Sequence, residues 1–243
     1  MNCNHSLLGS IAVLILAPGL AGAAVTYLNG TTGTTTEVNS ASEMAYQADA
    51  SNSDLLNNVS PTLVTTGNTL GTWNTSNGAT VPELNDGIHG VTFAAAGSSV
   101  EGAFPNGGAT ATYNLGLGAN NLGFDITSVQ SLAAWVNASF GNQAWTMAVQ
   151  PAGGGAFRDI ATVDYQPLPG GTSIGATKVS LTGLNITGIQ SVRVTTIVLN
   201  GGNSGGAFVW RELDVFGAPT VVPEPSATLL LSLGGLALLR RRR

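Results

Sequence analysis

Residues Val129–Tyr165 read VQSLAAWVNASFGNQAWTMAVQPAGGGAFRDIATVDY, and the spacing inside this stretch decides the fold. Trp145, Met147 and Val149 alternate with Ala144, Thr146, Ala148 and Gln150. Successive side chains of an extended chain point to opposite faces, so this period predicts a half-buried strand over Ala144–Gln150. Pro151-Ala152-Gly153-Gly154-Gly155 follows. Proline fixes φ and removes a donor, and the glycines let the chain reverse. The apolar runs on either side, Ser128–Ala138 and Ala156–Tyr165, predict two more strands.

The same texture extends outward. Gly90–Ala96, Ala109–Leu117, Thr177–Leu184, Ser191–Leu199 and Ala207–Phe216 are short β-type runs separated by Gly, Asn and Pro. The last two flank a glycine-rich loop, Asn200–Gly206. No long stretch between Ala24 and Val222 carries a helical period. Eight or so short strands without helices predict an all-β fold, a β-sandwich or jelly roll. Ala24 to about Ser60 reads differently: Thr31–Thr36 is all Thr and Gly, and Glu43–Asp54 is polar. An irregular lead-in with at most one early strand, Val25–Leu28, is expected there.

Both ends read as addresses. Leu7–Leu20 is apolar apart from Ser10, and Ala21-Gly22-Ala23 is a small-residue cleavage site, so an N-terminal signal helix, part of a signal peptide cut after Ala23, is expected. Its first residues, MNCNHS, lack Lys and Arg. At the other end Val222-Pro223-Glu224-Pro225 precedes the uncharged segment Ser226–Leu239, and Arg240, Arg241, Arg242 and Arg243 close the chain. Fourteen residues at about 1.5 Å each give a helix of roughly 21 Å, shorter than the ~30 Å hydrocarbon core. Lipid accepts such a helix because its backbone groups bond internally, and terminal arginines hold that end in the cytoplasm.

Val222–Arg243 resembles the PEP-CTERM sorting signal of exported Gram-negative bacterial proteins. The resemblance implies an exosortase that removes the tail near Pro223-Glu224-Pro225, transient membrane insertion, and a cell-surface or matrix protein of an exopolysaccharide-producing, biofilm-forming bacterium. With the other readings, the expected division is a signal peptide (1–23), a polar lead-in (24–56), a β-sandwich (57–218) and the sorting signal (219–243).

Charge becomes informative once both addresses are removed. The full chain carries −5. Between Ala24 and Val222 only Arg158, Lys178, Arg193 and Arg211 face twelve acids, leaving −8. Nucleic acid needs clustered Lys and Arg, so it is a poor partner. The sole cysteine, Cys3, leaves with the signal peptide, so no disulfide supports the mature chain.

Three pieces carry a second resemblance: TWNTSNGATVPELNDGIHGV (Thr72–Val91), the opening stretch Val129–Tyr165, and FVWRELDVFG (Phe208–Gly217). Together they resemble the galactose-binding-like, or discoidin-type, β-sandwich. That resemblance implies a structural Ca²⁺ shared by Asn85, Asp86 and Glu212. Calcium takes six to eight oxygens, and Gly87 lets the loop bend around it. Simple alternation puts Glu212 on the face of Phe208, Trp210 and Phe216, where a carboxylate needs a partner. The alternative is a salt bridge to Arg193 or Arg211, with 85–87 a plain turn.

Trp73, beside Asn74 in a polar loop, is the candidate sugar contact; Trp145 and Trp210 sit in strand patterns that favour the core. Ser204 in its glycine loop, His89 and Asp125 follow the order of a serine hydrolase triad, but the glycines are explained by a loop between strands. One histidine and no cysteine in the mature chain exclude a zinc site of usual composition. The reading is therefore a non-catalytic surface module that binds or organises exopolysaccharide. A structural surface protein without a ligand and a polysaccharide-active enzyme are the alternatives.

Overall fold

A computed structural model describes residues 13–16, 23–29, 45–64, 73–74, 84–90, 104–105, 107–135, 138–168, 175–199 and 208–222. Its strands are β1 (Val13–Leu16), β2 (Ala24–Asn29), β3 (Thr62–Val64), β4 (Trp73–Asn74), β5 (Phe104–Pro105), β6 (Thr110–Asn114), β7 (Phe124–Trp135), β8 (Gln143–Pro151), β9 (Arg158–Tyr165), β10 (Gly175–Thr182), β11 (Ile186–Thr196) and β12 (Trp210–Pro219). Short 3-10 turns occur at Gln47–Asp49 and Ala138–Gly141. The all-β expectation holds.

Ten strands form one hydrogen-bonded sheet that folds over itself into two layers. Sheet A runs β2-β10-β7-β12, and sheet B runs β1-β9-β8-β11-β6-β3. All these pairs are antiparallel. The layers join where the start of β7 meets β11, at Ile186↔Ile126 and Ile189↔Phe124.

Cross-strand neighbours share a face, so register identifies the inner rows. On sheet A these are Leu181/Val129/Val215 and Val179/Ser131/Leu213. On sheet B they are Tyr113/Val192/Val149 and Ala111/Val194/Met147/Ala161. All but Ser131 lie in one hydrophobic core. Trp145 from sheet B and Trp210 from sheet A stack across it with ring centroids 6.1 Å apart. Each is fully buried, and an indole of that size contributes about 4–6 kcal/mol by area.

One polar residue bolts the layers together. Gln143 is fully buried. Its Nε2 donates to Ser131 O (3.2 Å), Thr177 O (3.0 Å) and Thr177 Oγ1 (2.9 Å). Its Oε1 accepts from Ser131 Oγ (2.5 Å) and Trp145 Nε1 (3.1 Å). Trp210 Nε1 donates to Ser131 Oγ at 2.6 Å, so both core indoles are satisfied through one network.

Two expectations need correction. Part of the segment read as a signal helix, Val13–Leu16, is a strand paired with β9 from Val13↔Asp164 to Leu16↔Ala161. A run of β-branched and aliphatic residues completes an edge that would otherwise expose its backbone groups. Simple alternation also fails in β12. Trp210 pairs with Ala133 but Glu212 pairs with Leu132, so Arg211 is an extra bulge residue. Trp210 points into the core while Glu212, Asp214 and Phe216 share the outer face of sheet A. The strand expected at Gly90–Ala96 falls, beyond Gly90, outside the described residues, as do the Asn200–Gly206 loop, Ala21, and the tail from Pro223 onward with its Ser226–Leu239 segment. No helix among the described residues is long and apolar enough to cross a membrane.

Candidate functional site

The outer face of sheet A is covered by two segments, 45–59 and 84–90. The first caps the free edge of β12: Leu55 N donates to Val215 O (2.7 Å), and Val215 N donates to Asp54 Oδ1 (3.3 Å). Asp54 Oδ1 also accepts from Leu56 N at 2.6 Å, while Leu56 itself enters the core. The second segment is tied to the first. Asn85, fully buried, donates Nδ2 to Leu56 O and to Val59 O (3.2 Å), and Asn58 N donates to Asn85 O at 3.2 Å. Gly87 N then reaches Glu212 Oε1 at 3.3 Å.

Gly87 is required there. Its φ is +83°, and an added Cβ would lie 2.5 Å from Asn52 Cβ. A side chain at 87 would both strain the backbone and push the two segments apart.

The residues gathered here are acidic. Glu212 and Asp214 are fully buried, two positions apart on one face of β12. Gln130 Nε2 donates to Asp214 Oδ2 at 2.6 Å and also to Asp49 O. Asp54 and Asp86 stand within electrostatic reach of Glu212. Burial, then the charge of Asp214, pushes the Glu212 carboxyl up to about 11. Burial pushes Asp214 up to about 7, against the hydrogen bond from Gln130, and burial raises Asp54 and Asp86 as well. Among the described residues, Asp54 Oδ2, Asn85 Oδ1, Glu212 Oε2 and Asp214 Oδ1 find no hydrogen-bond donor.

Buried carboxylates with orphaned oxygens must either keep a proton or hold a cation. The donors at hand are all oxygens, which suits a hard divalent ion and not zinc. Among the described residues no three His, Cys, Asp or Glu side chains gather closely enough to hold a metal by themselves. A cation here would complete its shell from the Asn85 amide oxygen and backbone carbonyls, as calcium does.

Asn85, Asp86 and Glu212, far apart in sequence, are thus brought to one place. The salt-bridge alternative finds no support in Arg193, which lies over the Phe157 ring at 4.3 Å. Arg211 donates Nε to Ala134 O (3.0 Å) and stands 5.2 Å from the Trp135 ring. Asp54, Asp214 and Gln130 were missed. Asp214 was legible, because residues two apart on a strand share a face. Asp54 was not, because it meets Val215 across 161 positions of sequence.

Trp73 and Asn74 are on the two-stranded β4–β5 ribbon, paired with Pro105 and Phe104. The hydrolase triad is not assembled. Asp125 opens β7 and accepts from Thr220 Oγ1 and Gly188 N. His89 is buried within reach of Arg211, which bonds the far end of β7. Nine strand residues separate those ends, about 30 Å, and Ser204 falls outside the described residues.

Residues 221–243 match the family model described as the PEP-CTERM protein-sorting motif. The chain carries a PEP-CTERM sorting motif. That motif directs export and sorting to the cell envelope. No curated protein compared with the chain matches it. Similar solved structures include a Clostridium perfringens module, CpGH89CBM32-5, in complex with GalNAc-beta-1,3-galactose. It is 17% identical, with 65% of this chain and 95% of that one covered and a TM-score of 0.42. Another is chitosan-binding module 1 of a Paenibacillus sp. IK-5 chitosanase/glucanase, at 15% identity, 68% and 98% coverage and a TM-score of 0.36. A third is CBM32-1 of a Clostridium perfringens family 31 glycoside hydrolase, at 11%, 65% and 96%, and 0.38.

Proposed function

We propose that this PEP-CTERM protein is cut by signal peptidase after Ala23, sorted by an exosortase acting near Pro223-Glu224-Pro225, and placed on the outer surface or in the extracellular matrix of a Gram-negative bacterium. There its β-sandwich binds extracellular polysaccharide without catalysis, and a calcium ion at Asn85, Asp86 and Glu212 holds the covering segments to sheet A. The observation that carries the reading is the sorting motif over 221–243 on a chain whose described body is a cysteine-free β-sandwich. The charge of −8 left between Ala24 and Val222 favours neutral partners over nucleic acid. Trp73 and Asn74, on a ribbon apart from the main sheet, remain the sugar-contact residues of this reading.

Calcium would supply only positive charge, with Asp54 and Asp214 as added oxygen donors to Asn85, Asp86 and Glu212. Gln130 fixes Asp214, and Gly87 keeps the loop close. Ala23 packs against the core and Ala24 opens β2, so the peptidase must act before this strand docks.

The sorting step has a direct check. Deleting Pro223–Arg243 should release the chain into the medium and abolish C-terminal processing. Unchanged surface retention and an unaltered difference between precursor and mature mass would contradict it.

A further inference from the structure

Three of the four tyrosines of the chain lie together where β2, the edge of sheet A, comes near β9 of sheet B. Tyr27 lies on β2, the edge of sheet A, opposite Val179 and so on the inner face. Tyr165 ends β9 on sheet B, opposite Gln143. Their rings are 4.8 Å apart and tilted by 38°. Tyr46, just before the 3-10 turn, stands within electrostatic reach of Tyr165 and of Asp49. Asp164 acts on Tyr27 in the same way and accepts from Gln166 Nε2. Asp49 pairs with Lys178 at 3.0 Å. Tyr27 and Tyr46 are half-buried, Tyr165 more fully.

Leucines would close this side of a core as well as phenols do. What phenols add is a flat apolar face with a polar rim, the property that concentrates tyrosine at binding surfaces. Around the rings lie carboxylates and an amide, which accept and donate hydrogen bonds. A hexose ring has the matching form: an apolar C–H face bordered by hydroxyls. We infer that the Tyr27–Tyr46–Tyr165 cluster, with the partly exposed rings of Tyr27 and Tyr46 as its contact faces and Asp164 and Gln166 beside it, is a binding site for neutral hexose units of a polysaccharide. This rests on the polysaccharide reading above and names a contact surface other than Trp73.

The ligand class follows from charge. Asp164 and the net −8 repel uronate polymers, and the Lys178 charge is already matched by Asp49. β1 borders β9 at Asp164, and the proposed cut after Ala23 removes it. Tyr27 would then be the fourth residue of the mature chain.

The test titrates the processed chain with soluble neutral galactan and β-glucan, and with alginate as the anionic comparison. Tyr46→Ala should weaken binding of the neutral polymers about tenfold with an unchanged melting curve, Tyr46→Phe should retain most of it, and alginate should not bind. Binding unaffected by Tyr46→Ala and by a folded Tyr27→Ala, yet lost on Trp73→Ala, overturns the tyrosine site and leaves the polysaccharide reading standing. Preference for alginate also overturns it. Failure of the unmodified chain to bind any of these polymers overturns the polysaccharide reading itself.

Discussion

Removing calcium with a chelator near neutral pH should lower the melting temperature of the purified chain by about 10 °C. An ion present at about 1,000 times its dissociation constant stabilises the folded state by about 4 kcal/mol. A domain of this size shifts by about 2–4 °C per kcal/mol. The pH dependence gives the effect a sign. Burial raises Glu212 to about 11 and Asp214 to about 7, above the ~4 of an unfolded carboxylate. In the cation-free chain their contribution is full below about pH 4. It is lost as pH rises through about 7 for Asp214 and on toward 11 for Glu212. The proposed calcium would hold the ionised forms, so its stabilisation should vanish near pH 4 and grow as pH rises. Glu212→Gln should shrink the calcium shift while raising the cation-free melting temperature at alkaline pH. Scanning calorimetry at several pH values checks this. Curves that coincide with and without calcium at every pH would remove calcium from the account.

The second large effect belongs to Gln143. Gln143→Leu should destabilise the sandwich by about 3–5 kcal/mol, because Trp145 Nε1–H, the Ser131 hydroxyl and the Thr177 carbonyl lose a fully buried partner. Ser131→Ala removes a smaller part of the same network and should cost about 1–2 kcal/mol. Urea unfolding measures both, and a Gln143→Leu midpoint equal to wild type would show that the network contributes nothing net.

The strands were legible because their period is local. Trp145, Met147 and Val149 announced β8 without knowledge of any partner, and Trp210 in its strand pattern was correctly assigned to the core. What escaped depends on distant or irregular geometry. The bulge at Arg211 is invisible to alternation, so Glu212 was assigned to the wrong face although its meeting with the 85–87 loop was anticipated. Val13–Leu16 carries the same apolar residues whether it enters a membrane or an edge of a sheet. Gln143 looks like a polar residue just before a strand, yet its role appears only when Ser131 and Thr177 stand around it. The tyrosine cluster joins positions 27, 46 and 165, which no local pattern links.

The most direct test of the account is native affinity electrophoresis of the processed chain through gels containing galactan, with the polymer recovered and sized afterwards. Retarded migration that increases with galactan concentration, and polymer of unchanged length, is the predicted result. Migration indifferent to galactan and to other neutral polysaccharides, or a polymer shortened by the protein, would contradict a non-catalytic polysaccharide-binding module.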